Sequence, residues 1–135
     1  MKALDTNVLA RFFVDDPDDS QAKAQRPAAV TALSARGFVS VTVLLEFEWV
    51  MRGFYNLERS EIARVLMALA GIDHISIEDR RAVLDAIEAF KRGLDLADAL
   101  HLTRASQTAA FVTFDRDLAK RSATLGLTPP VELLK

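Results

Sequence analysis

Short apolar or β-branched runs alternate with helix-length amphipathic segments along the chain, and that alternation constrains its fold more than any other feature. Lys2-Ala3-Leu4 is an apolar run that ends at Asp5, and Val8, Leu9, Phe12 and Phe13 follow at the spacing of one helix face. The cluster Asp15-Asp16-Pro17-Asp18-Asp19-Ser20 ends that helix and starts an alanine-rich one over 20–36, in which Pro27 predicts a kink or a break and Gly37 a C-terminal stop. A strand over 38–42 passes into helices over 43–54 and 60–70, then a strand over 72–77 and helices over 78–92 and 95–107. A strand over 109–114, a helix ending near Gly126 and an edge strand over 131–133 complete the series. Strands that alternate with helices pair in parallel with helices on both faces. The expectation is therefore one α/β domain over residues 1–135, with a central parallel sheet of about five strands flanked by helices.

Composition removes several function classes. The chain has no cysteine, so it can form neither disulfides nor thiolate nucleophiles nor zinc–thiolate sites. Its 17 Lys and Arg against 19 Asp and Glu give a net charge of −2, unlike the basic proteins that coat duplex nucleic acid by neutralising phosphates. Action on nucleic acid then requires metal ions to supply positive charge locally. Glu46 interrupts the apolar stretch that begins at Phe38, well short of the ~18 residues of a membrane helix. The first residues lack a signal-peptide layout, which predicts a cytoplasmic protein with no membrane partner.

The acids fall where such a fold binds ligands, outside the carboxyl ends of its strands. Asp5 and Asp115 follow the first and fourth strands, while Glu46 and Asp98 lie in early helical turns expected at the same edge. Four carboxylates there raise one another's pKa unless a cation offsets them. Oxygen ligands without His or Cys select Mg²⁺ or Mn²⁺, an ion suited to metal-assisted hydrolysis of a phosphodiester. The competing reading makes each acid a helix cap or a solvated charge, which Asp95, Asp98 and Asp117 could all be.

The residues also carry a resemblance. Leu4-Asp5-Thr6-Asn7-Val8-Leu9 resembles the opening motif of the PIN-domain ribonucleases, and Glu46-Phe47-Glu48-Trp49-Val50-Met51-Arg52 resembles their second acidic block. Leu96-Ala97-Asp98-Ala99-Leu100-His101-Leu102 and Thr113-Phe114-Asp115-Arg116-Asp117-Leu118 resemble the third and fourth. The four blocks occur in order over residues 4–118, and the Asp16-Pro17 loop and Gly53-Phe54-Tyr55 are most similar to the VapC-type toxins. The resemblance implies a PIN-like fold with Asp5, Glu46, Asp98 and Asp115 as the catalytic, metal-binding acids. It also implies Mg²⁺- or Mn²⁺-dependent endonuclease cleavage of RNA, leaving a 3′-hydroxyl and a 5′-phosphate without a covalent intermediate.

Glu46 and Glu48 stand about 200° apart on a helix, so both cannot face one metal. The resemblance selects Glu46 and leaves Glu48 on a solvated face. It likewise selects Asp98 and leaves Asp95 as an N-cap. Asp117 is either the cap of the last helix or a ligand of a second metal or its water. Thr6, Asn7 and Thr113 could orient the carboxylates, with Asn7 and Thr113 favoured and Thr6 a plain cap. His101 is read as a packed or hydrogen-bonded structural histidine, and Trp49 as a core or interface aromatic. Arg11, Arg52 and Arg116 are the candidate RNA-phosphate contacts by their nearness to the motifs.

The toxins that the chain resembles form homodimers and are silenced by a small VapB-like antitoxin. The helices over 20–35 and 43–70 are apolar enough to offer such a partner a groove, or to be ordinary core. A haloacid-dehalogenase-type phosphatase would need an acid at Asn7, and a receiver domain a lysine at a late strand end. A non-catalytic PIN-like protein-binding module is the remaining alternative; it predicts the loss of an acid, and all four are present.

Overall fold

The computed structural model describes all 135 residues, which divide into two compact units, Met1–Glu78 and Asp79–Lys135. The first holds β1 (Lys2–Ala3), α1 (Thr6–Phe13), α2 (Ser20–Leu33), β2 (Gly37–Val39), α3 (Val41–Gly53), α4 (Arg59–Ala70) and β3 (Ile75–Ile77). Its three strands pair in parallel in the order β1-β2-β3, with Ala3 opposite Phe38 and Val39 opposite Ile77. The second unit holds α5 (Arg80–Lys91), α6 (Leu96–Thr103), β4 (Phe111–Thr113), α7 (Arg116–Leu125) and β5 (Val131–Leu133), with β4 and β5 parallel. No helix is long and apolar enough to cross a membrane.

The mixed α/β class, the parallel pairing and the order of elements are as the sequence predicts. The sheet differs: the five strands form a three-stranded and a two-stranded sheet rather than one sheet of five. Each strand is only two or three residues long, so each ladder rests on very few hydrogen bonds and strand propensity does not set its extent.

Local chemistry explains the other departures. The strand expected over 38–42 stops at Val39 because Ser40 caps α3, its hydroxyl accepting from the Val43 amide at 3.2 Å. The Glu78 carboxylate accepts from the Val41 amide at 2.9 Å and satisfies another free donor of that helix end. Gly37 does not end α2, whose cap is Ser34; it is the first residue of β2. A Cβ at Gly37 would lie 3.0 Å from methyl carbons of both Leu4 and Ile75, so any side chain there would have to push both aside. Pro27 does not break α2 either. It sits on an exposed stretch, where water can satisfy the carbonyl left without its amide partner.

The first unit's core is formed by Leu9, Leu33, Val39, Leu44, Phe47, Met51, Ile62, Leu66 and Leu69, all essentially inaccessible. Phe13 packs against Phe47 with ring centroids 6.1 Å apart, joining α1 to α3. In the second unit α5 packs along α6, burying Val83, Ala86, Ile87 and Phe90 with Leu96, Ala99, Leu100 and Leu102. This packing anchors the helix that carries Asp98.

Candidate active site

In the first unit, β1 delivers Asp5 to the start of α1, where it is the N-cap in place of the expected Thr6. Its Oδ1 accepts from the Thr6 amide at 2.8 Å, leaving Oδ2 without a protein partner. Thr6 is 3% exposed, and its hydroxyl donates to Oε1 of Glu46 on α3. One threonine therefore holds both acids, by its backbone and by its side chain. Asn7, one residue further round the helix, is exposed.

Helical geometry separates the two glutamates of α3. Glu46 is exposed, whereas Glu48 is 3% exposed and accepts from Arg52 Nε at 2.9 Å. This corrects the expectation of a solvated Glu48. A buried carboxylate needs a charge-matched partner, and the i, i+4 spacing to Arg52 was the signal for one. Trp49, expected in a core or an interface, is 61% exposed in the chain, with Phe54 exposed nearby.

In the second unit, Asp95 caps α6 by accepting from the Asp98 amide at 3.2 Å, as expected. The Asp98 side chain accepts no such bond. Its pKa is raised from the ordinary 3.8, first by burial, then by the negative charges of Asp95 and Asp115, with His101 pulling the other way. Asp115 follows β4 and caps α7, its Oδ1 accepting from the Leu118 amide at 3.1 Å. The Thr113 hydroxyl accepts from the Asp115 amide at 3.0 Å and fixes the strand-to-helix turn. His101 is exposed, and its ring packs nearly parallel to that of Phe111, 6.2 Å away.

Asp117 does not cap α7, because Asp115 does; its side chain is 81% exposed, with Arg121 Nε 4.0 Å away. The arginines divide as sharply. Arg11 donates to Gln25 and to the Tyr55 hydroxyl at 2.9 and 3.0 Å, and Arg52 is paired with Glu48. Arg116 is exposed at the first position of α7, next to Asp115.

The acids thus occur as two pairs, Asp5 with Glu46 in one unit and Asp98 with Asp115 in the other. In neither unit do three or more His, Asp or Glu side chains converge to hold a metal ion. The donor chemistry nonetheless suits a hard divalent cation. Asp5, Glu46 and Asp115 each commit one oxygen to the protein and keep the other, and Asp98 keeps both. The raised pKa of Asp98 marks a carboxylate held partly away from water and beside like charges, a cost that a cation would offset.

The family model of the PIN domain matches residues 2–123, nearly the whole chain. No curated protein and no solved structure matches it.

Proposed function

The chain belongs to the PIN domain family, a nuclease-type fold, and from that membership and its paired acids we propose a metal-dependent endoribonuclease that hydrolyses RNA phosphodiester bonds. The observation that carries this reading is the state of the four acids: each keeps at least one uncommitted oxygen, and Asp98 is held against its own ionisation by burial and neighbouring carboxylates.

Asp5, Glu46, Asp98 and Asp115 would hold Mg²⁺ or Mn²⁺, with Asp117 serving a second ion or its water. When bound, such an ion lowers the pKa of a coordinated water and offsets the charge that builds on the phosphodiester. Thr6 keeps the Glu46 carboxylate in place through its hydroxyl, and Thr113 holds the turn that presents Asp115. The cap bonds of Asp5 and Asp115 fix one oxygen of each and so restrict the rotation of both carboxylates. The expected products are a 3′-hydroxyl and a 5′-phosphate. Of the candidate phosphate contacts, Arg116 is the one whose guanidinium is not already engaged; Arg11 and Arg52 serve the fold.

We further propose that the chain is the VapC-type toxin of a toxin–antitoxin pair, a cytoplasmic homodimer neutralised by a small VapB-like antitoxin. The exposed Trp49 and Phe54 support docking of a protein partner on the first unit, since large aromatics at a surface mark interaction sites more often than scattered aliphatics do.

The test is cleavage of a structured RNA with Mg²⁺ or Mn²⁺ and with EDTA, beside Asp5→Asn and Asp98→Asn. Metal-dependent cleavage abolished by both substitutions is the expected result. Absence of cleavage together with absence of calorimetric Mn²⁺ binding refutes it and favours a non-catalytic PIN-like binding module.

A further inference from the structure

The chain is acidic overall, yet one groove on the second unit gathers three cations against one acid. A cleft of about 300 Å³ separates α7 from the turn after α5, with Arg92 and Gly93 on one side, Lys120, Arg121 and Thr124 on the other, and Asp117 its one acid. The guanidinium groups of Arg92 and Arg121 are pinned to the walls, donating to the Leu125 carbonyl at 3.4 Å and to the Gly93 carbonyl at 3.0 Å. Each guanidinium has five N–H donors, so both retain most of them for a ligand. Lys120 is exposed and its ammonium makes no hydrogen bond or ion pair with the protein.

The position of the groove on α7 indicates its occupant. Asp115 caps the N-terminus of the helix, and Arg116 is its first residue. Lys120 lies one turn beyond Arg116, on the same face, and about 7.5 Å along the axis from Asp115. Leu118 and Ser122 face inward, so the outer face of α7 presents Arg116, Lys120 and Arg121, three cations against the single acid Asp117, in a row that starts at a candidate catalytic acid. A ligand matching that row carries repeated negative charges along a flexible line.

We propose that the outer face of α7 and the Arg92–Lys120–Arg121 groove bind the sugar–phosphate backbone of single-stranded RNA next to the cleavage point. The identity of the strand rests on the nuclease reading; the groove and its charge do not. Backbone contacts of this kind hold the strand in register without reading bases, and their strength falls with salt as counterions are displaced.

The experiment is fluorescence anisotropy of a labelled, mixed-sequence single-stranded oligoribonucleotide with the full chain in EDTA, over a salt series. The variants are Arg116→Gln with Lys120→Gln together, and Arg64→Gln on α4 with Lys23→Gln on α2 as a charge-matched control. Loss of two phosphate contacts should make the salt slope shallower by about 1.4, from a single-strand slope near 0.7 per contact. The double variant should bind about tenfold more weakly at 50 mM salt, with the gap closing about sevenfold by 200 mM. Failure of the wild-type chain to bind, equal binding by the double variant, or an equal loss in the control each overturns the groove. Cleavage of the same oligonucleotide with Mn²⁺ is followed separately. Variant-sensitive binding without cleavage and without calorimetric Mn²⁺ binding supports the groove and refutes the nuclease, whereas cleavage with unaltered variant binding does the reverse.

Discussion

Replacing Thr6 with valine removes one hydroxyl and keeps the shape of the side chain. That hydroxyl donates to the Glu46 carboxylate, and Thr6 is 3% exposed, so the bond is shielded on its threonine side. A hydrogen bond to a charged group contributes about 1.5–3 kcal/mol. Glu46 is exposed and regains water when the bond is lost, which places the expected destabilisation near the lower end, about 1–1.5 kcal/mol. The effect on function should be larger than that loss suggests. Groups that orient ligating carboxylates typically change metal affinity or activity by about 10–100-fold when removed. Urea unfolding, Mn²⁺ calorimetry and RNA cleavage on Thr6→Val and Thr6→Ser separate the two effects. Serine keeps the donor and should retain most of the affinity. Wild-type Mn²⁺ affinity in Thr6→Val, or a serine variant as impaired as the valine one, would refute the claim that this hydroxyl positions Glu46.

Three further outcomes follow from the same structure. The raised pKa of Asp98 means that the folded chain holds that proton more tightly than the unfolded chain; the ionised form costs stability as pH rises from 3.8 through the raised value. In EDTA, Asp98→Asn should be more stable than wild type at pH 7, with the advantage gone below pH 3.8, and a urea series that shows no advantage at pH 7 contradicts this. Arg52→Met leaves Glu48 buried without its partner; because Arg52 is half exposed, the loss should be about 2 kcal/mol, between the ranges for surface and buried pairs. Adding Glu48→Gln should recover part of that loss, and a purely additive double-mutant cycle would show that the pair is not coupled. Gly37→Ala forces a Cβ against Leu4 and Ile75 and should cost about 1–3 kcal/mol by overpacking, read as a lower urea midpoint.

Helical periodicity and punctuation made the order and type of the elements legible, because Val8-Leu9-Phe12-Phe13 or Val83-Ile87-Phe90 admits one helix face and little else. The division of the strands between two sheets was not legible, because it depends on pairing between short segments far apart in the chain. Val41 and Thr42 read as strand from their β-branching, yet Ser40 supplied a cap and the chain turned into a helix one residue after Val39. The same limit applies at Glu46 and Glu48. Periodicity shows that they point apart but not which one is buried, and the buried one proved to be the glutamate with an arginine four residues on. For Trp49 the sequence left core and interface open, because hydrophobic size predicts burial only on average, and its exposure in the chain removes the core reading.

The candidate acids were legible as residues, but their division of labour was not. Asp5 and Asp115 are both N-caps, so each is held by a backbone amide at a helix end whose dipole favours negative charge. Reading such an aspartate as a cap or as a ligand poses a false choice. Capping engages one oxygen, fixes the carboxylate and leaves the second oxygen available. Asp98 lacks that support. Its neighbour Asp95 takes the capping bond of α6, and the Asp98 carboxylate is left partly buried among like charges with no donor from the protein. Replacing Asp5 or Asp115 with alanine should therefore cost fold stability as well as metal affinity, by about 1 kcal/mol per lost cap. Replacing Asp98 should reduce metal affinity while stabilising the metal-free chain. Opposite signs in one set of EDTA and Mn²⁺ unfolding curves would separate an acid that supports its helix from one held there at a cost in stability. A fall in metal-free stability for all three would show that Asp98 is a structural residue like the other two.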